Sequence, residues 1–267
     1  MEDETTGCIV STKDIRDYKI KLDDSLVIPA EFCLNSVPVK NQRPMSTCTA
    51  HVLAQIVEYH TREENDGEFY RYSTNYIYAN KTSAEEEGMS FREGLNWLKH
   101  HGDVLYDECP GNYNIHKAKK TIKLNEIKSL HDSRITAYYK MSKLEEIKQS
   151  LLVDGPVGAT IKMYDKYKLH NGVYSPDYTT DFTDHAVMII GWTKENFIVQ
   201  NSWGTLWGKK GIFYVRIEDI DKVFREFYGV TDNIDTVIQP SFIVNKTAKF
   251  INLILNFIIQ IIGKIRT

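Results

Sequence analysis

The chain has 267 residues, 42 % hydrophobic and 26 % charged, enough for one large domain or two small lobes around a buried core. A net charge of −3 and the lack of any basic stripe argue against a nucleic-acid binder. The four cysteines, Cys8, Cys33, Cys48 and Cys109, contain no C-x-x-C pair, so no structural zinc site is expected.

Residues 1–26 are polar and mixed in charge and read as an extended leader, long enough to reach across a lobe and regulate access to Cys48; a leader packed on the back of the sheet lobe or a disordered tail are the plain alternatives. The opening MEDETTG has neither a basic n-region nor an apolar h-region, so no signal peptide is read there. After Cys48, Ala50, Leu53, Ala54 and Val57 follow the i, i+3, i+4, i+7 spacing of a buried helix face. Thr47 is placed to cap that helix, which puts Cys48 in its first turn. A second helix is predicted over Phe91 to His100, stopped by Gly102, with His100 and His101 at the surface. A third, led by Ser142, is predicted over Leu144 to Val153 and ends at Gly155-Pro156. Strands are predicted over Val157 to Met163, Ala186 to Trp192, Asn196 to Gln200 and Gly211 to Ile217. Helices first and strands later give an α+β class, with a helical lobe over 27–135 and a sheet lobe over 136–240. The tail, 241–267, carries an apolar run notched every four residues by Asn252, Asn256 and Gln260 and bounded by Lys246, Lys249, Lys264 and Arg266. It reads as an amphipathic helix contacting a membrane surface through 246–266 or a marginal tail anchor, or else as a helix docked on the protein or on a sister chain.

Four residues carry the chemistry. His185 heads an apolar run, and Asn201 follows it by sixteen residues (201 − 185) inside an Asn-Ser-Trp-Gly motif. An Asn at that position can orient an imidazole, which calls for a nucleophile elsewhere in the chain. Cys48 answers it, six residues after Gln42 (48 − 42). A free thiol, with a pKa of about 8.5, needs a helix N-terminus or a nearby imidazolium to become a thiolate at neutral pH.

The two segments resemble those of papain-like cysteine peptidases, the family of the cathepsins, with Gln42, Cys48, His185 and Asn201 in the family's order. The resemblance runs from about Pro29 to Val230. The leader stretch Asp14 to Lys19, DIRDYK, and the Cys48-Thr49-Ala50 run are similar to those of short-leader bacterial or large-DNA-virus members. It implies a two-lobe papain-like fold, with an antiparallel, barrel-like second lobe and a cleft between the lobes. It further implies a Cys48–His185 thiolate–imidazolium pair that hydrolyses peptide bonds through an acyl-enzyme, without cofactor or metal. Asn201 would orient His185, Trp203 would cover that contact, and Gln42 with the Cys48 N–H would receive the oxyanion. Gly88 and Met89 would hold the substrate backbone, Thr160 and Ala186 would line a specificity pocket, and Trp203 counts among the substrate-side residues. The implied partners are proteins or peptides.

The chain departs from the family pattern at Arg43-Pro44, Ser46 and Thr49, all beside the nucleophile. Met45 stands where secreted members carry a bridging Cys; with no signal peptide visible, this points to a reducing, intracellular compartment. A silent peptide-binding relative, and a ligase or deconjugating enzyme using the same acyl-enzyme chemistry, remain as alternatives.

Overall fold

The structure, a computed structural model, describes residues 6–14, 17–20, 22–42, 44–82, 87–111 and 133–232. They belong to one compact unit, Met1–Asp232. The tail segment 241–267, with its expected helix, lies outside the described residues. Among the described residues no helix is long and apolar enough to cross a membrane.

The N-terminal half begins with two short strands, β1 (Cys8–Ile9) and β2 (Phe32–Cys33). Helix α1 (Cys48–Glu64) turns Ala50, Leu53, Ala54 and Val57 into the core as their spacing requires. Thr47 precedes it, yet its hydroxyl makes no cap bond. Its carbonyl is engaged instead, by His51 N at 3.1 Å and His51 Nδ1 at 2.9 Å. Helix α2 (Thr74–Ala79) is too short to show a period; Ser73 Oγ caps it by accepting from Tyr76 N at 3.1 Å. Strand β3 (Met89–Ser90) leads into α3 (Phe91–His101), where Ser90 Oγ accepts from Glu93 N and Gly102 ends the helix at φ 69°.

The remaining elements are β4 (Ala137–Met141), α4 (Leu144–Val153), β5 (Val157–Tyr164), β6 (Tyr167–His170), β7 (Val173–Pro176), β8 (Phe182–Trp192), β9 (Asn196–Gln200), β10 (Ile212–Arg216), α5 (Ile220–Val223) and β11 (Phe224–Thr231). At α4 the cap is Lys143 and not Ser142, because the Glu146 carboxylate accepts both Ser142 N at 2.8 Å and Lys143 N at 3.1 Å. The last expected strand stops at Arg216, since Ile217 opens a 3₁₀ turn. β8 starts four residues earlier than its apolar run, because antiparallel pairing with β5 continues out to Tyr164↔Phe182.

The sheet runs β4-β11-β5-β8-β9-β10-β7-β6, with β2 added on β8. Its pairs are antiparallel except β7 with β10. Helices first and sheet second therefore hold, although Phe32–Cys33, counted with the helical lobe, joins the sheet. β8 is buried on both faces, which is why it reads as one continuous apolar run. Ala186, Met188 and Ile190 face the core built with α1 and α3; Val187 and Ile189 face the second core with Trp203, Trp207 and Phe213. This alternation places residues 185 and 186 on opposite faces of one strand, at the end nearest α1's start.

Gly191 sits at the irregularity in the β8–β9 pairing and lets β2 approach closely. A Cβ there would meet the Phe32 carbonyl and lie 2.7 Å from Cys33 Cα, backbone atoms that cannot swing aside. Gly191→Ala is expected to cost about 1–3 kcal/mol, the usual range for overpacking. Urea unfolding checks this: the midpoint falls while the slope stays unchanged.

Candidate active site

Cys48 is the first residue of α1, so its thiol stands where the helix presents unpaired N–H groups and a partial positive charge. Ala186 and Thr49 lie beside this thiol in the fold, Ala186 in the same core cluster and Thr49 as the next residue of α1. His185 precedes Ala186 on β8. Its Nε2 donates to Asn201 Oδ1 at 2.7 Å, and the same oxygen accepts Ser202 N at 2.8 Å. That bond fixes the neutral ring with its proton on Nε2 and leaves Nδ1 as the basic nitrogen. Among the described residues Nδ1 has no hydrogen-bond partner. The indole of Trp203 stacks on the imidazole, with centroids 4.5 Å apart and planes at 27°, and Trp207 meets Trp203 edge-on. Trp203 thus lies over the imidazole and is itself buried.

Gln42 is held by its motif neighbour. Ser202 Oγ donates to Gln42 Oε1 at 2.5 Å, which commits the side-chain oxygen and turns the amide nitrogen into the outward donor. That nitrogen donates to Met45 O at 2.9 Å, on the turn that leads into Cys48. Gln42 N also bonds Ser202 O, and Gly204 N bonds Lys40 O, so the loop of Asn201 and the loop of Gln42 are laced together. The structure brings Gln42, Cys48, His185 and Asn201 to one place.

The leader enters the same place. β1 pairs in parallel with β3, Cys8 opposite Met89, and Met89 N donates to Gly7 O at 3.0 Å. Gly88, at φ +93°, is shaped for this approach: its N–H bonds Tyr78 OH and its carbonyl takes Lys81 Nζ. A Cβ on Gly88 would strike Gly7 O, and one on Gly7 would lie 2.6 Å from the Ser46 carbonyl oxygen. Thr160 pairs with Ala186 across the sheet and meets Cys8 Sγ at 3.1 Å through its Oγ1. Of the residues expected to contact substrate, Gly88, Met89 and Thr160 therefore meet the leader, and Ala186 pairs with Thr160. Beyond the cleft the leader is stitched down by Asp17 on Arg92, Lys140 N on Tyr18 O, and a two-way bond between Asp23 and Gln149.

Three participants escaped the sequence reading. Ser202 lies in the Asn-Ser-Trp-Gly motif, and that position was the signal for it. Thr49, noted only as a departure, ties α1 to β3 through Oγ1 to Met89 O at 2.8 Å. Glu226 on β11 gave no signal. Its buried carboxylate accepts from Ser11 N, Ser11 Oγ, Thr160 Oγ1, Lys140 Nζ and Tyr228 OH.

Enclosure decides the charge state. Cys48 and His185 are both 0 % exposed. Burial pushes the Cys48 thiol up to about 11, the surrounding hydrogen bonds opposing it only in part. Burial likewise drives His185 down to about 4, against the pull of Asn201. Between those values the pair is thiol and neutral imidazole.

A sequence model described as papain family cysteine protease matches residues 31–231. The chain belongs to the papain family. A cathepsin B-like cysteine proteinase of Ostertagia ostertagi is 31 % identical over 135 residues, 48 % of this chain and 40 % of that protein. A peptidase C1-like protein of Acanthamoeba polyphaga mimivirus is 25 % identical over 231 residues, covering 75 % and 73 %. The chain thus spans well under half the length of the Ostertagia relative. Among solved structures, xylellain, a cysteine protease from Xylella fastidiosa, superposes with a TM-score of 0.76 at 20 % identity, covering 87 % of this chain and 97 % of that one. A procathepsin B from Trypanosoma congolense gives 0.71 at 16 %, covering 85 % and 86 %. These confirm the papain-like α+β fold.

The charge state fixes a pH dependence. The thiol's pKa is raised above its ordinary value, so thiolate is scarce at neutral pH and grows as pH climbs toward about 11. Alkylation of Cys48 by iodoacetamide in the full chain is expected to rise about tenfold per pH unit from pH 7 to 10, because only thiolate reacts. Mass-spectrometric counting of the Cys48 adduct against time reads this rate. A flat profile across that range would mean a thiolate already paired with imidazolium.

Proposed function

We propose that this chain is a cysteine endopeptidase whose own leader holds it latent. The observation that carries the reading is the 2.7 Å His185–Asn201 bond under Trp203, one residue from Ala186, which shares a core cluster with Cys48. In the working state the leader lifts and water or substrate reaches the cleft. Cys48 then passes its proton to His185 Nδ1, and the resulting ion pair is favoured by the α1 N-terminus and by Asn201. The thiolate attacks the peptide carbonyl, and the oxyanion takes hydrogen bonds from the Cys48 N–H and from Gln42 Nε2. The imidazolium protonates the leaving amine; water, deprotonated by His185, then hydrolyses the thioester.

Proteins or peptides are the substrate class. An extended peptide would use the Met89–Ser90 edge by strand addition, with side chains alternating toward the Thr160 and Ala186 wall. The leader supports latency because it already occupies that edge. The four unpaired cysteines support a reducing, intracellular setting. Contact of 246–266 with a membrane surface stays part of the proposal and is read by liposome co-sedimentation.

A buried, neutral pair is also what a silent relative would hold, so release of the leader is the discriminating test. Gly7→Val places side-chain carbons against the Ser46 carbonyl and should unseat β1 while leaving the stitched residues beyond Ser11 in place. The expected outcome is faster Cys48 alkylation at pH 7 together with peptide turnover, and Cys48→Ala on the same background abolishes the turnover. Gln42→Ala should lower kcat by about 10²–10³, the usual loss for one oxyanion donor. Fast alkylation without hydrolysis would establish the silent relative, and ligated products in the mass spectrum would establish the ligase.

A further inference from the structure

Beyond the four catalytic positions, the cleft holds a second thiol. Cys8 is buried, and three contacts set it around the nucleophile. Its neighbour Gly7 packs on Ser46, two residues before Cys48. Its strand partner Met89 accepts the hydroxyl of Thr49, the residue after Cys48. Its sulfur touches Thr160 Oγ1 at 3.1 Å, and Thr160 pairs across the sheet with Ala186, which packs in one core cluster with Cys48. The two thiols belong to one core cluster, and the Thr49 hydroxyl acts on both. Their mutual charge is the largest influence on Cys8 after burial itself. The other two cysteines lie apart: Cys33 is exposed on β2, and Cys109 is buried beside Ser73 and Asn75.

We propose that Cys8 and Cys48 form a reversible disulfide that locks the leader over the cleft in an oxidising environment and leaves it free to lift in a reducing one. Its consequence for turnover rests on the reading of Cys48 as nucleophile, whereas the bond itself does not. The oxidant is a small disulfide of the glutathione type. When the leader lifts, the Cys48 thiolate attacks one sulfur of that disulfide, forming a mixed disulfide and expelling one thiolate. As the leader re-docks, the Cys8 thiolate attacks the Cys48 sulfur and expels the second. The two protein thiols are oxidised by two electrons, and their protons end on the two released small thiols. The bond stores the nucleophile and ties down the strand that covers it, so one reduction restores both. Direct modification of Cys48 without Cys8 would leave the leader free to leave.

The test treats the full chain with oxidised glutathione at mildly alkaline pH, blocks remaining thiols, digests without reduction and maps the peptides by mass spectrometry. In wild type the expected result is a linked Cys8–Cys48 peptide pair, a glutathione adduct on exposed Cys33, and a loss, reversed by dithiothreitol, of the low turnover that transient lifting of the leader allows. Cys8→Ser, which keeps a hydroxyl for Thr160, should give no link and a glutathione adduct on Cys48 instead. A wild-type Cys48 carrying glutathione while Cys8 remains a blocked thiol overturns the proposal, as does Cys8 linked to Cys33 or Cys109. A Cys8–Cys48 link, with no peptide hydrolysed by the reduced wild type or by reduced Gly7→Val, supports the disulfide and overturns only the peptidase reading. Turnover by the reduced protein with no link under oxidation overturns only the latch.

Discussion

A thiolate beside an imidazolium exists only where water, a helix terminus or fixed dipoles solvate the two charges. In the reading proposed above, a two-residue strand takes the water away. Cys8–Ile9 pairs on Met89–Ser90, and the Cys48 and His185 side chains are fully buried. The dipole of α1 and the Asn201 bond remain, yet they do not offset the desolvation, so the pair rests as neutral thiol and neutral ring. The rest of the cleft follows from that contact: Gly88's positive φ, the bare Gly7 against Ser46, and the Glu226 carboxylate turned to Ser11 all serve the docked leader.

The scaffold under this contact is rigid where it must be. β8 is buried on both faces and carries His185 and Ala186 at its α1-facing end, while the Asn201 loop is fastened to the Gln42 loop by backbone bonds in both directions. Ser202 completes the fastening by fixing which end of the Gln42 amide points outward. The leader, in contrast, is held at spaced points by side-chain bonds and one short strand. A lock made of few contacts can be opened by modest changes in conditions, and a second thiol on that strand offers a covalent way to hold it.

Much of this was legible in the chain because the chemistry sits where elements begin. Thr47-Cys48 opens a helix with a clear apolar period, and His185 and Asn201 lie on either side of a buried hairpin whose strands read as apolar runs. The leader's length allowed a path to the cleft, but its strand and register were not legible, since two residues of strand have no period and their partners are distant in sequence. Glu226 gave no warning because an acidic residue on FREFYGVT looks like a solvated alternation, and only the folded partners reveal it as buried. The Thr49 departure had a local reason that only the β3 carbonyl supplies. The Ser142 cap failed because Glu146 satisfied two backbone donors at once and moved the helix start.

Nitrogen chemical shifts of the His185 ring, read by NMR on labelled protein at pH 7, probe the coupling between leader and charge most directly. The full reduced chain should show a neutral ring protonated on Nε2, and the Gly7→Val chain should show imidazolium that disappears when Cys48 is replaced by Ala. A charged ring in the full chain, or a neutral ring after the leader is unseated, would contradict the claim that the strand alone silences the pair.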